Sequence, residues 1–387
     1  MSKVWNKGNV GKLVVEMMKR IKILSLICAI SMMFCACAGD TNKSDKDFDI
    51  GDILGDNDID IVDVIEEVED SEIFDEAVKD FGDLEVEYTV PETVYNSNDS
   101  YKQIAVFGIQ SNNVWSDKGN RSEEIMVLTI NENTGNVDIV SIQNYTYLNV
   151  CDDIYSRANL AYSKGGASEA MNMLNRNFDF DITDCITIGF DGVISLVDSL
   201  GGVWVDIDEK ELEAMNGDMD KYITDEMYNS LKPVETTGNQ LLDGTQAATY
   251  CLGRLYGATN SVWVAQRQQE VFLDVINRMQ DLDDSSIDTI NKNLYENYIY
   301  TSLSYDEYEE IVNIVLKNGV NKTLIAPKDD LATPLTMGSD GSCMCPVDLT
   351  QNVQWLHKEL FGKVDYQPSK TVNEISKQIS EDMKEYQ

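Results

Sequence analysis

The chain has 387 residues, of which 68 are Asp or Glu and 30 are Lys or Arg, so its formal net charge is −38. A surface this acidic repels phosphate backbones, which excludes nucleic acid as a bulk partner. The hydrophobic fraction of 43% and the charged fraction of 25% are close to globular averages and exclude a chain that is disordered throughout. The single histidine, His357, excludes a His-rich metal site.

Residues 1–37 have the pattern of an export signal. Basic residues at 19–22 precede an apolar run at 23–34, which has the length of a signal-peptide core and is short for a membrane span. Small residues then lead to Cys37, in a pattern that resembles the lipobox of bacterial lipoproteins. We expect cleavage before Cys37 and a lipid on its thiol, which would anchor the protein to the outer face of the cytoplasmic membrane. An uncleaved membrane anchor and plain secretion are the alternatives, and both also place the body outside the cytoplasm.

Residues 38–98 form an acidic segment. Between residues 40 and 92 there are 21 Asp or Glu and three Lys. Like charges at this density repel one another and prevent the burial of a core, so we expect a disordered tether. A calcium loop of dockerin type is the alternative, because carboxylate oxygens suit Ca²⁺. Its ligand positions 1, 5, 9 and 12 are taken by Asp52, Asp56, Asp60 and Asp63.

The cysteines of the exported body predict no disulfide framework. Their number is odd, no CxxC pair occurs, and Cys343 and Cys345 are too close in sequence for a usual zinc knuckle. We expect buried or incidental thiols. The cysteines concerned are Cys151, Cys185, Cys251, Cys343 and Cys345.

Hydrophobic periodicity predicts a mixture of strands and helices between residues 99 and 365. The predicted strands lie at 104–109, 124–130, 137–143, 185–190, 203–207 and 323–326. The predicted helices lie at 167–178, 191–200, 243–254, 263–279, 304–317 and 349–360. The connections include both hairpins and crossovers, so the predicted fold class is α/β around one sheet. Residues 366–387 are polar, and we expect a frayed helical tail.

Several segments, taken in chain order, carry a family pattern. They are VFGIQSN at 106–112, NRSEEIMVLTIN at 120–131, VDIVSIQNYTYL at 137–148, SRANLAY at 156–162, FDGVISLVDSLGGVWVDI at 190–207, LLDGTQAATYCLGRLYG at 241–257 and AQRQQEVFLDVI at 265–276. Together they resemble the LytR-CpsA-Psr (LCP) family of cell-envelope glycopolymer ligases. The segment TSLSYDEYEEIV at 301–312 resembles the entry to a late helix of that family. The resemblance covers roughly residues 101–362.

The resemblance implies a single LCP-type domain over residues 99–365. Its central mixed sheet would be flanked by helices and would leave an apolar pocket for a polyprenyl chain. The implied activity is Mg²⁺-dependent transfer of a polyprenyl-pyrophosphate-linked glycopolymer, such as teichoic acid or capsule, to peptidoglycan. Arginine suits such a site because its planar guanidinium binds phosphate oxygens in a bidentate manner and stays charged.

The family's functional positions map onto specific residues of this chain. Arg254 and Arg267 take the catalytic positions, and Glu123 takes the acidic metal position. The pyrophosphate-binding positions are Arg121, Arg157, Asn159, Arg254, Arg267 and Gln268. Two structural alternatives remain: Arg254 as a helix C-cap, and Arg267 paired with Glu270 on the same helix face.

The chain also departs from the family pattern. Gln110 replaces an Asp that helps to hold Mg²⁺, and a small hard cation with fewer charged ligands binds less tightly. The other replacements remove charge from the site and fall at Asn112, Asn144, Tyr145, Leu252, Ser261 and Val264. Three hypotheses follow: a working or weakened phosphotransferase; a degenerate lipoprotein that binds polyprenyl-linked intermediates or a partner without turnover; and a structural envelope lipoprotein.

Overall fold

The structure of the protein is a computed structural model that describes residues 100–109, 114, 120–222, 232–252 and 261–386. Several predictions lie outside the described residues. These are the export signal with Cys37, the acidic segment with its candidate calcium loop, and the positions Gln110, Asn112 and Arg254.

The described strands are, in chain order, β1 (Tyr101–Ile109), β2 (Ser122–Asn131), β3 (Val137–Ile142), β4 (Tyr147–Cys151), β5 (Ile154–Arg157), β6 (Asp184–Gly189), β7 (Val203–Ile207), β8 (Gly238–Leu242), β9 (Ile299–Thr301), β10 (Lys322–Ala326), β11 (Ala332–Thr336) and β12 (Ser342–Pro346). The described helices are α1 (Leu160–Phe178), α2 (Phe190–Ser199), α3 (Glu209–Tyr222), α4 (Gly244–Leu252), α5 (Ser261–Gln280), α6 (Asp284–Asn297), α7 (Tyr305–Asn318), α8 (Leu349–Phe361) and α9 (Lys370–Tyr386). This mixture confirms the predicted α/β class.

The main sheet has the strand order β10-β3-β2-β1-β6-β9. The pairs β1–β2, β2–β3 and β6–β9 are antiparallel, whereas β1–β6 and β3–β10 are parallel, so the sheet is mixed as expected. The predicted hairpin between β2 and β3 is confirmed. Its turn is closed by Asn131, whose Oδ1 accepts hydrogen bonds from the backbone N–H groups of Asn133 and Thr134. Three separate ribbons, β4–β5, β7–β8 and β11–β12, lie outside the main sheet.

Both faces of the central strands are covered. Alternate residues of a strand point to opposite faces. On one face, Ile104 and Met126 pack in a cluster with Ile276 of α5 and Ile311 of α7. On the other face, Phe107 meets the ring of Tyr162 of α1 edge-on at a centroid distance of 5.5 Å. Burial on both faces explains why β1 is almost continuously apolar in sequence.

Helix α1 begins earlier than the sequence predicted. The expected start was residue 167, whereas the helix runs from Leu160. Gly165 and Gly166 have non-helical backbone angles inside it, and Gly166 has a φ of +65°. The glycine pair therefore kinks the helix, and the regular periodicity used for the prediction begins only after the kink.

The C-terminal tail is helical, as expected, but the expectation that it is frayed is wrong. Residues 370–386 form α9, which packs against α1, α8 and β12. Its buried face consists of Val372, Ile375, Ile379 and Met383, each no more than 4% exposed. These residues recur at spacings of three and four, which places them on one side of a helix.

The remaining expectations concern thiols and membrane spans. Among the described residues, the cysteines at 151, 185, 251, 343 and 345 form no disulfide. Within the ranges given above, no helix is both long and apolar enough to cross a membrane.

Candidate functional site

The carboxylate of Glu123 is held at the start of β2. Glu123 is 5% exposed, and the side-chain amide of Asn144 donates a hydrogen bond of 2.9 Å to its Oε2. Gln268 of α5 reaches the same strand, because its Nε2 lies 3.2 Å from the carbonyl oxygen of Glu123 and 3.3 Å from that of Cys251. The structure therefore brings two predicted residues, Glu123 and Gln268, to the same end of β2.

Asn159 contacts Asn144, the residue that holds the Glu123 carboxylate. Its backbone N–H donates a hydrogen bond of 3.0 Å to the carbonyl oxygen of Asn144. Its side chain is 1% exposed, yet neither Oδ1 nor Nδ2 has a hydrogen-bond partner among the described residues. The hydroxyl of Ser122, which is fully buried next to Glu123, also lacks a hydrogen-bond partner in the part of the chain that the structure describes. Burial without a partner costs roughly 1–3 kcal/mol for each such group. Such groups suit a polar ligand that completes their hydrogen bonds.

Arg157 is positioned by the ribbon β4–β5 and by the turn between β11 and β12. Its guanidinium carbon lies 4.5 Å from the ring centroid of Tyr145, a cation–π geometry. Gly341 of the turn has a φ of +69°, and a Cβ placed there would lie 2.7 Å from Nη2 of Arg157. Burial raises the pKa of the Cys343 thiol, and a hydrogen bond with Arg157 opposes that rise. The guanidinium of Arg157 therefore lies between the ring of Tyr145 and Gly341, which has no side chain to occupy that space.

Arg267 precedes Gln268 on α5 and is only 3% exposed. Its guanidinium carbon lies 5.4 Å from the ring centroid of Tyr250 of α4. Burial lowers the pKa of Arg267 from its ordinary value, and the carboxylates of Glu211 and Asp208 oppose that change. The alternative partner of Arg267, Glu270, accepts a hydrogen bond of 3.0 Å from the hydroxyl of Tyr250 through its Oε2.

Arg121 and Arg254 are the other two arginines that the family pattern assigns to the site. Arg121 is exposed and lies two residues before Glu123. Arg254 falls outside the described residues. Leu252, at the position of the first arginine of the family's pair, ends α4.

Sequence reasoning did not single out Ser122, Tyr250 or Glu124. Glu124 lies opposite Gly108 in the β1–β2 register, and a Cβ on Gly108 would lie 2.9 Å from its Cβ. Burial raises the pKa of Glu124 to about 7. The period of two along β2 directs Glu124 to the opposite face of the sheet from Glu123. The doubled glutamate was a sequence signal for this second carboxylate.

The side chains of the described residues offer few ligands for a metal ion. Within the described residues, no three His, Cys, Asp or Glu side chains form a group able to hold a metal ion. Mg²⁺ commonly binds through one or two carboxylates and completes its octahedron with phosphate oxygens and water. Glu123 is the buried carboxylate that would supply one such ligand.

Two surface clefts lie elsewhere on the molecule. One of about 340 Å³ lies on α7 and includes Asp306 and Lys317. The other, of about 240 Å³, lies beside Gly201 and includes Lys232. Neither is lined by the residues around Glu123, so the apolar polyprenyl pocket stays a prediction.

Comparison with known proteins identifies relatives of this chain. The sequence model of the LytR_cpsA_psr family matches residues 70–336, so β12, α8 and α9 lie beyond the match. The chain is 24% identical over 273 residues to a Bacillus subtilis (strain 168) protein named polyisoprenyl-teichoic acid--peptidoglycan teichoic acid transferase TagV. The aligned region covers 68% of this chain and 65% of that relative, slightly less than two thirds of its length.

Solved structures share the fold. The crystal structure of B. subtilis TagV superposes with a TM-score of 0.54 at 22% identity, covering 70% of this chain and 100% of that chain. The structure of the LytR-CPS2A-psr family protein YwtF (TagT) with bound octaprenyl pyrophosphate lipid has a TM-score of 0.50 at 17% identity, covering 72% and 96%. At these identities the likeness shows a common fold.

Proposed function

Because this chain belongs to the LytR-CpsA-Psr family, we propose that it is an extracytoplasmic phosphotransferase that attaches a polyprenyl-pyrophosphate-linked glycopolymer to peptidoglycan. The observation that carries the proposal is the buried side-chain amide of Asn159, which has no hydrogen-bond partner among the described residues and whose backbone is bonded to Asn144, the residue that holds Glu123. Support comes from TagV, which is named as a teichoic acid transferase, and from TagT, which holds octaprenyl pyrophosphate. We propose a glycopolymer of the teichoic acid or capsule kind.

The proposed reaction is an exchange at one phosphorus atom. A hydroxyl oxygen of peptidoglycan bonds to the phosphorus that carries the glycopolymer, and the bond from that phosphorus to the bridging oxygen breaks. Polyprenyl phosphate leaves with the bridging oxygen and its electron pair, and the hydroxyl proton passes to solvent. Negative charge grows on the leaving phosphate, so the protein's contribution is positioning and charge neutralisation.

In the proposed reaction, different residues of the site supply positive charge, hydrogen bonds and a metal ligand. The guanidinium groups of Arg157 and Arg267 supply positive charge, with Arg121 and Arg254 as further cations that the family pattern assigns. Asn159, Ser122 and Gln268 supply hydrogen bonds that orient the pyrophosphate. Glu123 is the proposed ligand of Mg²⁺, which, when bound, neutralises part of the pyrophosphate charge.

A second candidate function is binding of polyprenyl-linked intermediates without turnover. The observation that favours it is the contact of Asn144 with Glu123, because an amide supplies no positive charge where the family commonly has an arginine. In both cases we propose that a lipid on Cys37 and an acidic tether over residues 38–98 hold the domain at the outer face of the cytoplasmic membrane.

The two functions are separated by binding and turnover measured together. The full-length chain in detergent is incubated with farnesyl pyrophosphate, with Mg²⁺ or with EDTA, while binding and release of the terminal phosphate to water are followed. Arg267→Ala is compared with Arg278→Ala, a change on the same helix at an arginine paired with Asp274. Mg²⁺-dependent turnover that is lost only in Arg267→Ala supports the phosphotransferase. Binding without turnover supports the second function, and absence of binding contradicts both.

A further inference from the structure

Tyr250 connects the predicted catalytic arginine to two carboxylates. Its side chain is 1% exposed, and its ring lies against the guanidinium of Arg267. The hydroxyl oxygen lies 3.0 Å from Oε2 of Glu270 and 3.4 Å from Oε1 of Glu211. These four residues, called here the Tyr250 network, come from α3, α4 and α5.

Both carboxylates of the network are fixed independently of Tyr250. Oε1 of Glu270 accepts a hydrogen bond of 3.0 Å from the backbone N–H of Asp206 at the end of β7. Oε2 of Glu211 accepts one of 3.0 Å from the backbone N–H of Asp208, just after β7. Each carboxylate therefore has one oxygen bound to the main chain and the other directed at the tyrosine hydroxyl. The ring is held in one orientation by groups that cannot easily rotate.

This arrangement acts on Arg267 in two ways. A phenol has one hydroxyl hydrogen, so Tyr250 donates to one carboxylate at a time, and 3.0 Å favours Glu270. Donation to an anion makes the ring richer in electrons, which strengthens its attraction for a cation over its face. Glu211 also lies close enough to favour the charged form of the buried guanidinium, where an uncompensated charge is costly.

We propose that Tyr250 is a positioning residue for Arg267 and that Glu211 and Glu270 hold the Tyr250 ring in place. The network fixes the guanidinium in the orientation that meets the pyrophosphate, and it keeps the guanidinium charged. This inference rests on the proposed binding of a prenyl pyrophosphate, but it does not require turnover.

A double-mutant cycle tests the coupling between Tyr250 and Arg267. The dissociation constant of farnesyl pyrophosphate with Mg²⁺ is measured for the full-length chain in detergent. The variants are Tyr250→Phe, Arg267→Lys and the double variant, with Tyr308→Phe as the control for the loss of a buried hydroxyl in a distant cluster. We expect Tyr250→Phe to weaken binding about five- to tenfold, because the ring loses the hydrogen bond that fixes it against Arg267 and the guanidinium is held less well for the pyrophosphate. When residue 267 is already lysine, Tyr250→Phe should change the dissociation constant by less than about twofold.

The outcomes separate this inference from the proposed function. Equal weakening by Tyr250→Phe in both backgrounds, or no weakening in either, means that Tyr250 does not act through Arg267 and overturns the inference. If the cycle gives the expected coupling but the protein shows no turnover, the positioning role stands and the proposed transferase activity is contradicted. Identical binding by wild type and Arg267→Ala places Arg267 outside the site and also overturns the inference. If the Tyr250→Phe variant does not fold, Glu211→Gln replaces it in the cycle, because Glu211 is the partly buried end of the network. We expect Glu211→Gln to weaken binding when residue 267 is arginine and to change it little in the Arg267→Lys variant.

Discussion

The side-chain amide of Asn144 donates a 2.9 Å hydrogen bond to Oε2 of the buried Glu123. The donor fixes the carboxylate, but it brings no charge of its own. At this position the LCP family commonly has an arginine, which would neutralise the carboxylate and also face the pyrophosphate. In this chain the polar contact of the Glu123 carboxylate at that position is therefore made by an uncharged amide.

The isosteric change Asn144→Asp tests the electrostatics of this contact. It places a second carboxylate against Glu123 without changing shape, so we expect a loss of roughly 1–3 kcal/mol of unfolding free energy in EDTA. Mg²⁺ should restore much of this loss, because two carboxylates bind the cation better than one and binding stabilises the folded state. Thermal unfolding with and without Mg²⁺ measures both effects. Asn136→Asp in the exposed β2–β3 turn is the control, and an equal Mg²⁺ response in both variants would contradict the prediction.

Gly341 is expected to be required for the position of Arg157. Its φ of +69° is strained for any other residue, and a Cβ would lie 2.7 Å from Nη2 of Arg157. Gly341→Ala should therefore destabilise the fold by about 1–3 kcal/mol through its backbone alone and should also weaken farnesyl pyrophosphate binding by displacing Arg157. Gly319→Ala is the matched control, since Gly319 has a φ of +66° and nothing within 4 Å of the added Cβ. The control should lose similar stability and keep its affinity, and parallel loss of affinity in both variants would contradict the prediction.

Local patterns predicted five of the six strands of the main sheet, all except the three-residue β9. Strand β1 and the β2–β3 hairpin are defined by apolar runs and by turn residues close in sequence. The ribbons β4–β5 and β11–β12 were not predicted, because their strands are short and their placement depends on distant contacts. One such contact is the bridge between Thr146 and Met344, which are almost 200 residues apart.

The site was predictable only in its residue types. The family pattern identified Glu123, Asn159 and Arg267, but it did not indicate that the Asn159 amide is buried without a partner or that Tyr250 lies against Arg267. Both facts depend on packing between elements. Helix α9 was misjudged for a different reason: its average polarity concealed four apolar residues on one face.

The buried face of α9 is expected to contribute strongly to stability. Ile379 is 1% exposed, and Ile379→Ala removes buried methyl and methylene groups and leaves a cavity, at a cost of about 2–5 kcal/mol. Urea denaturation of the full-length chain measures the change. Lys377→Ala on the exposed face removes only a surface ion pair with Glu381 and should change stability by less than about 1 kcal/mol. A tail that frays in solution would instead give similar small effects for both variants.

His357 is expected to make the stability of the domain depend on pH. The ring is fully buried, its Nε2 lies 2.9 Å from the carbonyl oxygen of Phe178, and it stacks on Tyr366 at 3.7 Å. Burial lowers the pKa of His357 from 6.5 to about 4, while the nearby charges of Asp179 and Lys363 act in opposite directions. Between these two pH values the unfolded chain binds a proton that the folded chain does not. Stability due to this group is therefore complete above pH 6.5 and is lost as the pH falls towards 4.

The size of the effect follows from the same shift. A pKa lowered from 6.5 to about 4 corresponds to about 3 kcal/mol of unfolding free energy. His357→Gln keeps an amide donor for the Phe178 carbonyl and removes the titration. We expect urea denaturation at pH 7, 5.5 and 4.5 to show a decline in wild type that is much shallower in the variant, whatever their difference at pH 7. Because the carboxylates of the chain titrate in both proteins, the difference in slope isolates His357, and parallel slopes would show that the ring is protonated as readily in the folded state as in the unfolded one.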